Sequence, residues 1–144
     1  MSGMYQLSKC ASTLNYYLNH TAIRPFFVDE SGAEFLDGSG LLSREDTYFF
    51  VFDGGSLIFW NKGGKIFEGD IYFLPRKRGG AARDSALLSL HHMFAVVGAE
   101  MIQARSLRSN ASARHFITGL GFRRIKTVDG VVMYEMVREQ WEAR

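Results

Sequence analysis

Cysteine, proline and long apolar runs are all scarce in this chain, and each scarcity removes a class of protein. Cys10 is the only cysteine among 144 residues, so an internal disulfide is impossible and a metal site built on cysteines is excluded. A lone thiol suits a reducing compartment. The two prolines, Pro25 and Pro75, make no proline-rich linker, and no repeat or low-complexity stretch divides the chain. No apolar run approaches the roughly 20 residues that cross a bilayer, and the first residues lack the basic-then-apolar order of a secretory signal. The expectation is a cytoplasmic protein with no membrane partner. A net charge of +2 is small for a dedicated nucleic-acid binder, which makes nucleic acid the least favoured partner.

What remains is the composition of a folded protein, 47% hydrophobic and 22% charged, at a length that suits a single domain over 1–144. Leu7, Cys10, Ala11, Leu14, Tyr17 and Leu18 fall at helical spacing, so a helix is expected over Leu7–Leu18, ended by Asn19 and His20. On that helix Cys10 reads as a small buried hydrophobe rather than a nucleophile. From Thr47 the chain turns aromatic and β-branched. Tyr48–Phe52, Ser56–Trp60 and Lys65–Leu74, separated by Asp53-Gly54-Gly55 and Lys62-Gly63-Gly64, predict an antiparallel meander. Its aromatics, Tyr48, Phe49, Phe50, Phe52, Phe59 and Trp60, read as sheet core rather than a base-stacking platform.

Beyond Pro75 a basic Gly/Ala-rich loop leads into a helix with Ala86, Leu87, Leu90, Met93, Phe94 and Val97 on one face, stopped by Gly98. His91 and His92 are adjacent on it, about 100° apart, and do not form the i, i+4 pair of a metal site. A short strand over Met101–Ala104 and a second helix follow. That helix is capped by Ser109 or Asn110, carries Ala113, Phe116, Ile117 and Leu120, and ends at Gly121. Phe122–Thr127 and Val131–Met136 form a hairpin through Asp129-Gly130, and Arg138–Arg144 is a mixed-charge tail. The order is α+β, with a helix directly after the third strand of the meander.

The chemistry gathers at Arg76-Lys77-Arg78-Gly79-Gly80-Ala81-Ala82, where a strand gives way to a helix. A helix start presents unpaired N–H groups and partial positive charge, and small residues let a phosphate come close. Arg76, Lys77, Arg78 and Arg83 add positive charge. Taken alone, such a loop is also an ordinary solvated one.

Arg76, Gly79 and Ala81 match the R/Q-x-x-G-x-G/A signature of the GNAT N-acetyltransferase superfamily. Asn110, Ala113, Phe116, Gly121 and Phe122 match its N-x-x-A-x-x-(large apolar)…G-F pattern. Through these residues the chain from Asp70 to Phe122 resembles the cofactor-binding half of that superfamily. The resemblance implies a mixed, splayed sheet flanked by helices and acetyl-CoA as co-substrate. It implies direct attack by an amine acceptor of unknown identity, and it allows a homodimer. It also divides the chain into acceptor-side helices (1–46), the meander (47–75), a CoA-binding half (76–122) and a C-terminal hairpin and tail (123–144). Leu74, Arg76, Lys77, Arg78, Gly79, Gly80, Ala81 and Arg83 are then expected at the cofactor, with Asn110, Ala113 and Phe116 beside them.

Many members have a tyrosine directly after the large apolar residue as general acid. This chain has Ile117, which has no proton to give. Period-two alternation puts Glu68, Asp70 and Tyr72 on one strand face, opposite Phe67, Gly69, Ile71 and Phe73. Glu68 or Asp70 is therefore a candidate base, against the reading that both are simply an exposed strand face. Tyr72 or Tyr134 is a candidate acid. Trp60, Tyr48 and the Val28–Leu42 segment are candidates for lining the acceptor pocket. A second reading keeps the fold as a binding module without turnover. Asn19–Phe26 resembles the start of small acetyltransferase-like phage proteins, some encoded among head-assembly genes, which implies host cytoplasm or virion and virion proteins as partners.

Overall fold

The computed structural model describes residues 5–28 and 31–144. Among the described residues seven strands, β1 (Gln6–Ser8), β2 (Thr47–Phe52), β3 (Gly55–Gly63), β4 (Ile66–Phe73), β5 (Met101–Leu107), β6 (Arg123–Val128) and β7 (Val131–Val137), form one sheet in the order β1-β2-β3-β4-β5-β7-β6. The expected meander is β2 (Thr47–Phe52), β3 (Gly55–Gly63) and β4 (Ile66–Phe73), paired antiparallel from Phe52↔Gly55 to Gly55↔Phe73. Its first turn needs the positive φ of Gly54 (78°). After α3 (Gly80–His91), which continues as a π-helical segment over His92–Val97 and stops at left-handed Gly98, β5 (Met101–Leu107) returns parallel to β4. Then come α4 (Ala111–Gly119) and the hairpin β6 (Arg123–Val128) and β7 (Val131–Val137), turned at Asp129 and Gly130, both at positive φ.

The N-terminal region departs from expectation. Instead of one helix over Leu7–Leu18, Gln6–Ser8 is strand β1 on the edge of β2, and helix α1 covers Ala11–Asn19. Ser8 Oγ accepts the Cys10 N–H at 3.0 Å, turning the chain between the two. Cys10 is therefore exposed at the helix start rather than buried, and hydrogen bonds with Ser12 and Thr13 lower its thiol to about 7. Among its described residues, region 1–46, expected to hold helices, also holds an edge strand besides α1 and the one-turn α2 (Ser39–Leu42), and a 3-10 turn at Arg24–Phe26. Two further extents differ: β5 runs to Leu107, three residues past Ala104, because β7 pairs with it that far, and the tail holds a short helix α5 (Arg138–Glu142).

Strand alternation sorts the apolar residues into two cores. On one face Phe50, Phe59, Phe67, Ile102, Val132 and Met136 pack under α3 and α4, through Leu90, Met93, Phe94 and Ile117. On the other, Phe49, Ile58 and Tyr72 pack against Leu14, Tyr17 and Leu18 of α1. Tyr48 belongs to the first core and Trp60 to the second, so they cannot line one pocket as expected. Within Val28–Leu42, Leu36, Leu41 and Leu42 also join the second core, and Asp29 and Glu30 lie outside the described residues. Among the described residues no helix is long and apolar enough to cross a membrane.

Candidate active site

The site begins where the sheet splits. β4 and β5 pair only from Ile66↔Met101 to Gly69↔Ala104. Beyond that point β4 stays bonded to β3 as far as Phe73, while β5 stays bonded to β7 as far as Leu107. The strands therefore part as a V, and the β4 edge beyond Gly69 has no strand beside it. An exposed strand edge is a template for an extended chain. A narrow cavity of about 50 Å³ lies in the V, with Gly69, Asp70, Ala104, Arg105, Phe116 and Ile117 in its walls. Gly69 is required here because a Cβ would come within 2.6 Å of the Phe59 ring.

Glu68, Asp70 and Tyr72 share the face turned toward α1, as alternation predicts, but they are in different electrostatic situations. Glu68, 5% exposed, is engaged by Lys62 Nζ at 3.2 Å and Arg105 Nε at 3.1 Å. Two cations thus flank its carboxylate. Asp70 Oδ2 accepts from the Tyr72 hydroxyl at 3.0 Å, and Oδ1 from the Ile71 N–H at 3.1 Å. Burial outweighs these bonds and the pull of Arg105, and with Glu68 nearby it pushes Asp70 from its ordinary 3.8 to about 7. Such a carboxylate exchanges protons at neutral pH, the property required of a general base. Burial and the adjacent Asp70 raise Tyr72 well above its usual range, which makes it a poor proton source. Tyr134 is buried on β7 with the Ser106 hydroxyl donating to its oxygen at 3.5 Å.

At the open end of the V, Pro75–Lys77 makes a 3-10 turn and Gly79 takes φ 90°, ψ −130°, a conformation open to glycine alone. The first bond into α3 runs from Arg83 N–H to Gly79 O at 3.0 Å, so the N–H groups of Gly80, Ala81 and Ala82 precede the helix's own bonding. Among the described residues nothing beyond the adjoining backbone lies within 4 Å of where a Cβ would stand on Gly79 or Gly80. An open start on a 12-residue helix is a geometry that suits an anion.

The four cations near it are not equivalent. Lys77 pairs with Asp53 at 3.0 Å, Arg83 donates to Gly119 O at 2.8 Å, and Arg78 donates to two backbone carbonyls. Among the described residues only Arg76 of the four makes no side-chain hydrogen bond. The Leu74 N–H is bonded to Gly54 O at 3.0 Å, which anchors the loop's start.

Asn110 caps α4, with Oδ1 accepting the Ala113 N–H at 3.2 Å. Asn110→Ala is expected to cost about 1 kcal/mol of stability, read as a lower midpoint in urea without a change of slope. Phe116 reaches the cavity, whereas Ala113 is half-buried on the same helix. Gln103, Ala104 and Arg105 also line the cavity, and sequence reasoning missed them because the partner of a parallel strand leaves no local signal. Among the described residues no cluster of His, Cys, Asp or Glu could hold a metal.

No family model matches this sequence, and no curated protein matches it. Solved structures do. Spermidine N-acetyltransferase from Vibrio cholerae, in complex with CoA and spermine, superposes with a TM-score of 0.74 at 16% identity, over 96% of this chain and 98% of that one. A domain from Methanocaldococcus jannaschii gives 0.71 at 19% identity, over 93% and 98%. A GNAT-family acetyltransferase from Bacillus anthracis gives 0.68 at 15% identity, over 94% and 95%. The split sheet with its flanking helices is therefore the GNAT acyltransferase fold.

Proposed function

We propose that this chain is an acyl-CoA-dependent N-acyltransferase, passing an acetyl group from acetyl-CoA to an amine by direct attack in a ternary complex. One observation carries the reading. The divergence of β4 from β5 leaves Asp70, poised near neutrality, in the wall of a cleft, on the strand that leads into the glycine-lined start of α3.

The residues fit such a ligand. The Gly80, Ala81 and Ala82 amides and the Arg76 guanidinium suit a pyrophosphate, Gly79 keeps the approach open, and Leu74 sets the loop. The free edge of β4 suits the amide-bearing pantetheine arm, as an added strand. Asn110 at the start of α4, with Ala113 and Phe116 behind it, closes the other side.

In the transfer, Asp70 takes the proton the amine sheds as its nitrogen bonds to the thioester carbonyl carbon, and the C–S bond then breaks. Glu68 is tied up in its ion pairs with Lys62 and Arg105. The departing sulfur needs a proton. Ile117 offers none and Tyr72 is committed to Asp70, which leaves Tyr134, backed by Ser106, as the protein's donor. Acceptor choice falls to the face beside α1. Polyamines belong first in the panel because the Vibrio structure holds spermine.

Acetyl-CoA at 100 times its Kd is expected to add about 2.7 kcal/mol of stability, read as a rise in melting temperature. Addition of an accepted amine should then release free thiol. Absence of any shift at millimolar acetyl-CoA sinks the proposal. A second reading rests on Ile117: a module, such as a phage head-assembly component, that binds acyl-CoA without turnover. A clear thermal shift with no thiol released by any amine would select it.

A further inference from the structure

The loop that offers its amides to an anion also carries a guanidinium directed elsewhere. Arg78 Nε donates to Phe73 O at 3.0 Å and Nη2 donates to Ala22 O at 3.0 Å. One planar fork thus ties the end of β4 to the turn that follows α1. Ala22 sits in a tight segment. Its N–H donates to His20 Nδ1 at 3.0 Å, and the N–H groups of Ile23 and Arg24 both donate to His20 O. The segment leads to the reacting face, since Ile23 is buried in the same core as Tyr72. The Phe27 ring stands 5.9 Å from the Tyr72 ring, whose hydroxyl holds Asp70.

We infer that Arg78 is a positioning residue for the acceptor wall rather than a phosphate ligand, and that it transmits occupancy of the cradle to the Ala22–Phe27 segment beside Asp70. The inference rests on the acyl-CoA reading above. An anion held by the amides of Gly80 and Ala81 restrains the Pro75–Gly79 loop. A restrained loop fixes the base of Arg78, and the fork then restrains Ala22. Motion lost at one site is thereby lost at the other, and the two sites are linked in both directions. The other loop cations lack this reach, for Lys77 is paired to Asp53 and Arg83 to Gly119 O.

Amide hydrogen exchange with and without saturating CoA tests this on the full chain, comparing wild type with Arg78→Gln, Arg78→Lys and Arg76→Ala. In wild type, CoA should slow exchange at the start of α3 and also, by about fivefold, at Ile23–Phe27. Arg78→Gln and Arg78→Lys should bind CoA within about twofold of wild type, since no phosphate contact is lost. They should keep the protection at α3 and lose it at Ile23–Phe27. Arg76→Ala should weaken CoA by about tenfold, the cost of one charge-assisted bond. Arg78 is exposed, so neither substitution disturbs a core. A tenfold loss of CoA affinity in Arg78→Gln would make it a phosphate ligand and overturn the inference. Slowing at Ile23–Phe27 that persists in Arg78→Gln overturns it too, as does protection at α3 alone in wild type. No protection at α3 in wild type removes the acyl-CoA reading and this coupling together.

Discussion

Asp70→Asn is expected to cut turnover by about 10²–10⁴-fold and, above pH 7, to raise the melting temperature. The two effects have one origin. Folding moves Asp70 from its ordinary 3.8 to about 7, so the folded chain holds a proton that the unfolded chain releases. Wild-type stability therefore falls as pH rises from about 4 to about 7 and stays low above that. The full penalty is on the order of 2–4 kcal/mol. Asparagine carries no charge to bury. Its Oδ1 can keep the Ile71 N–H, and its Nδ2 can donate to the Tyr72 hydroxyl oxygen in place of the bond that Asp70 accepts. Thermal melts from pH 3 to pH 9 should show the variant a few degrees more stable at pH 8, with the advantage gone near pH 3. In parallel, the wild-type rate should climb with pH through about 7 and level off, because only the ionised carboxylate accepts a proton. The variant should lack that limb. Unchanged turnover in Asp70→Asn would remove it as the base.

Gly80→Glu is expected to separate folding from ligand binding in the opposite sense at the other end of the cleft. Gly80 is the first residue of α3, and a Cβ there meets nothing within 4 Å. Relieving a glycine in the helix gains about 0.5–1 kcal/mol, and a carboxylate at a helix start gains about 0.3–1 kcal/mol more. The protein should therefore melt higher. The same carboxylate occupies the position a phosphate needs, and like charges in contact cost several kcal/mol, so CoA affinity should drop by more than about 100-fold. Gly80→Ala is the control: it should keep the helix gain and most of the affinity. Gly79 is the less informative neighbour, because at φ 90° any side chain strains the backbone and confuses folding with binding. Titration calorimetry of the two Gly80 variants with CoA decides the matter. Equal affinities would mean that the α3 N-terminus does not hold the phosphates.

How much of this was legible beforehand follows from the range of each interaction. The meander and the C-terminal hairpin could be read because Gly54, Gly64 and Asp129-Gly130 mark turns within a few residues of the strands they join. α3 and α4 could be read because apolar spacing and the stops at Gly98 and Gly121 are local too. β1 could not: three residues are too few to show alternation, and Leu7 falls in phase with the apolar face of α1, although it is 45% exposed. At the site, the shared face of Glu68, Asp70 and Tyr72 followed from strand periodicity alone. The distinction between the two carboxylates did not, because Glu68 is neutralised by residues 6 and 37 positions away. The cradle was visible as a glycine-rich helix start. Which of its cations would stay uncommitted was not, since Arg78 and Arg83 are held by backbone carbonyls, which every residue type carries.

The short parallel ladder between β4 and β5 also governs how the chain assembles. β2–β4 and β6–β7 join strands that are neighbours in sequence and linked by short turns, whereas β1–β2, β5–β7 and β4–β5 close over much longer stretches of chain. The Ile66–Gly69 and Met101–Ala104 segments are joined through α3, and their closure brings together residues 35 apart. Topology of this kind makes the non-local step the slow one. The seam that leaves room for a ligand thus belongs to the slow, non-local closures of the sheet, and its short ladder is a place where the folded chain can open locally.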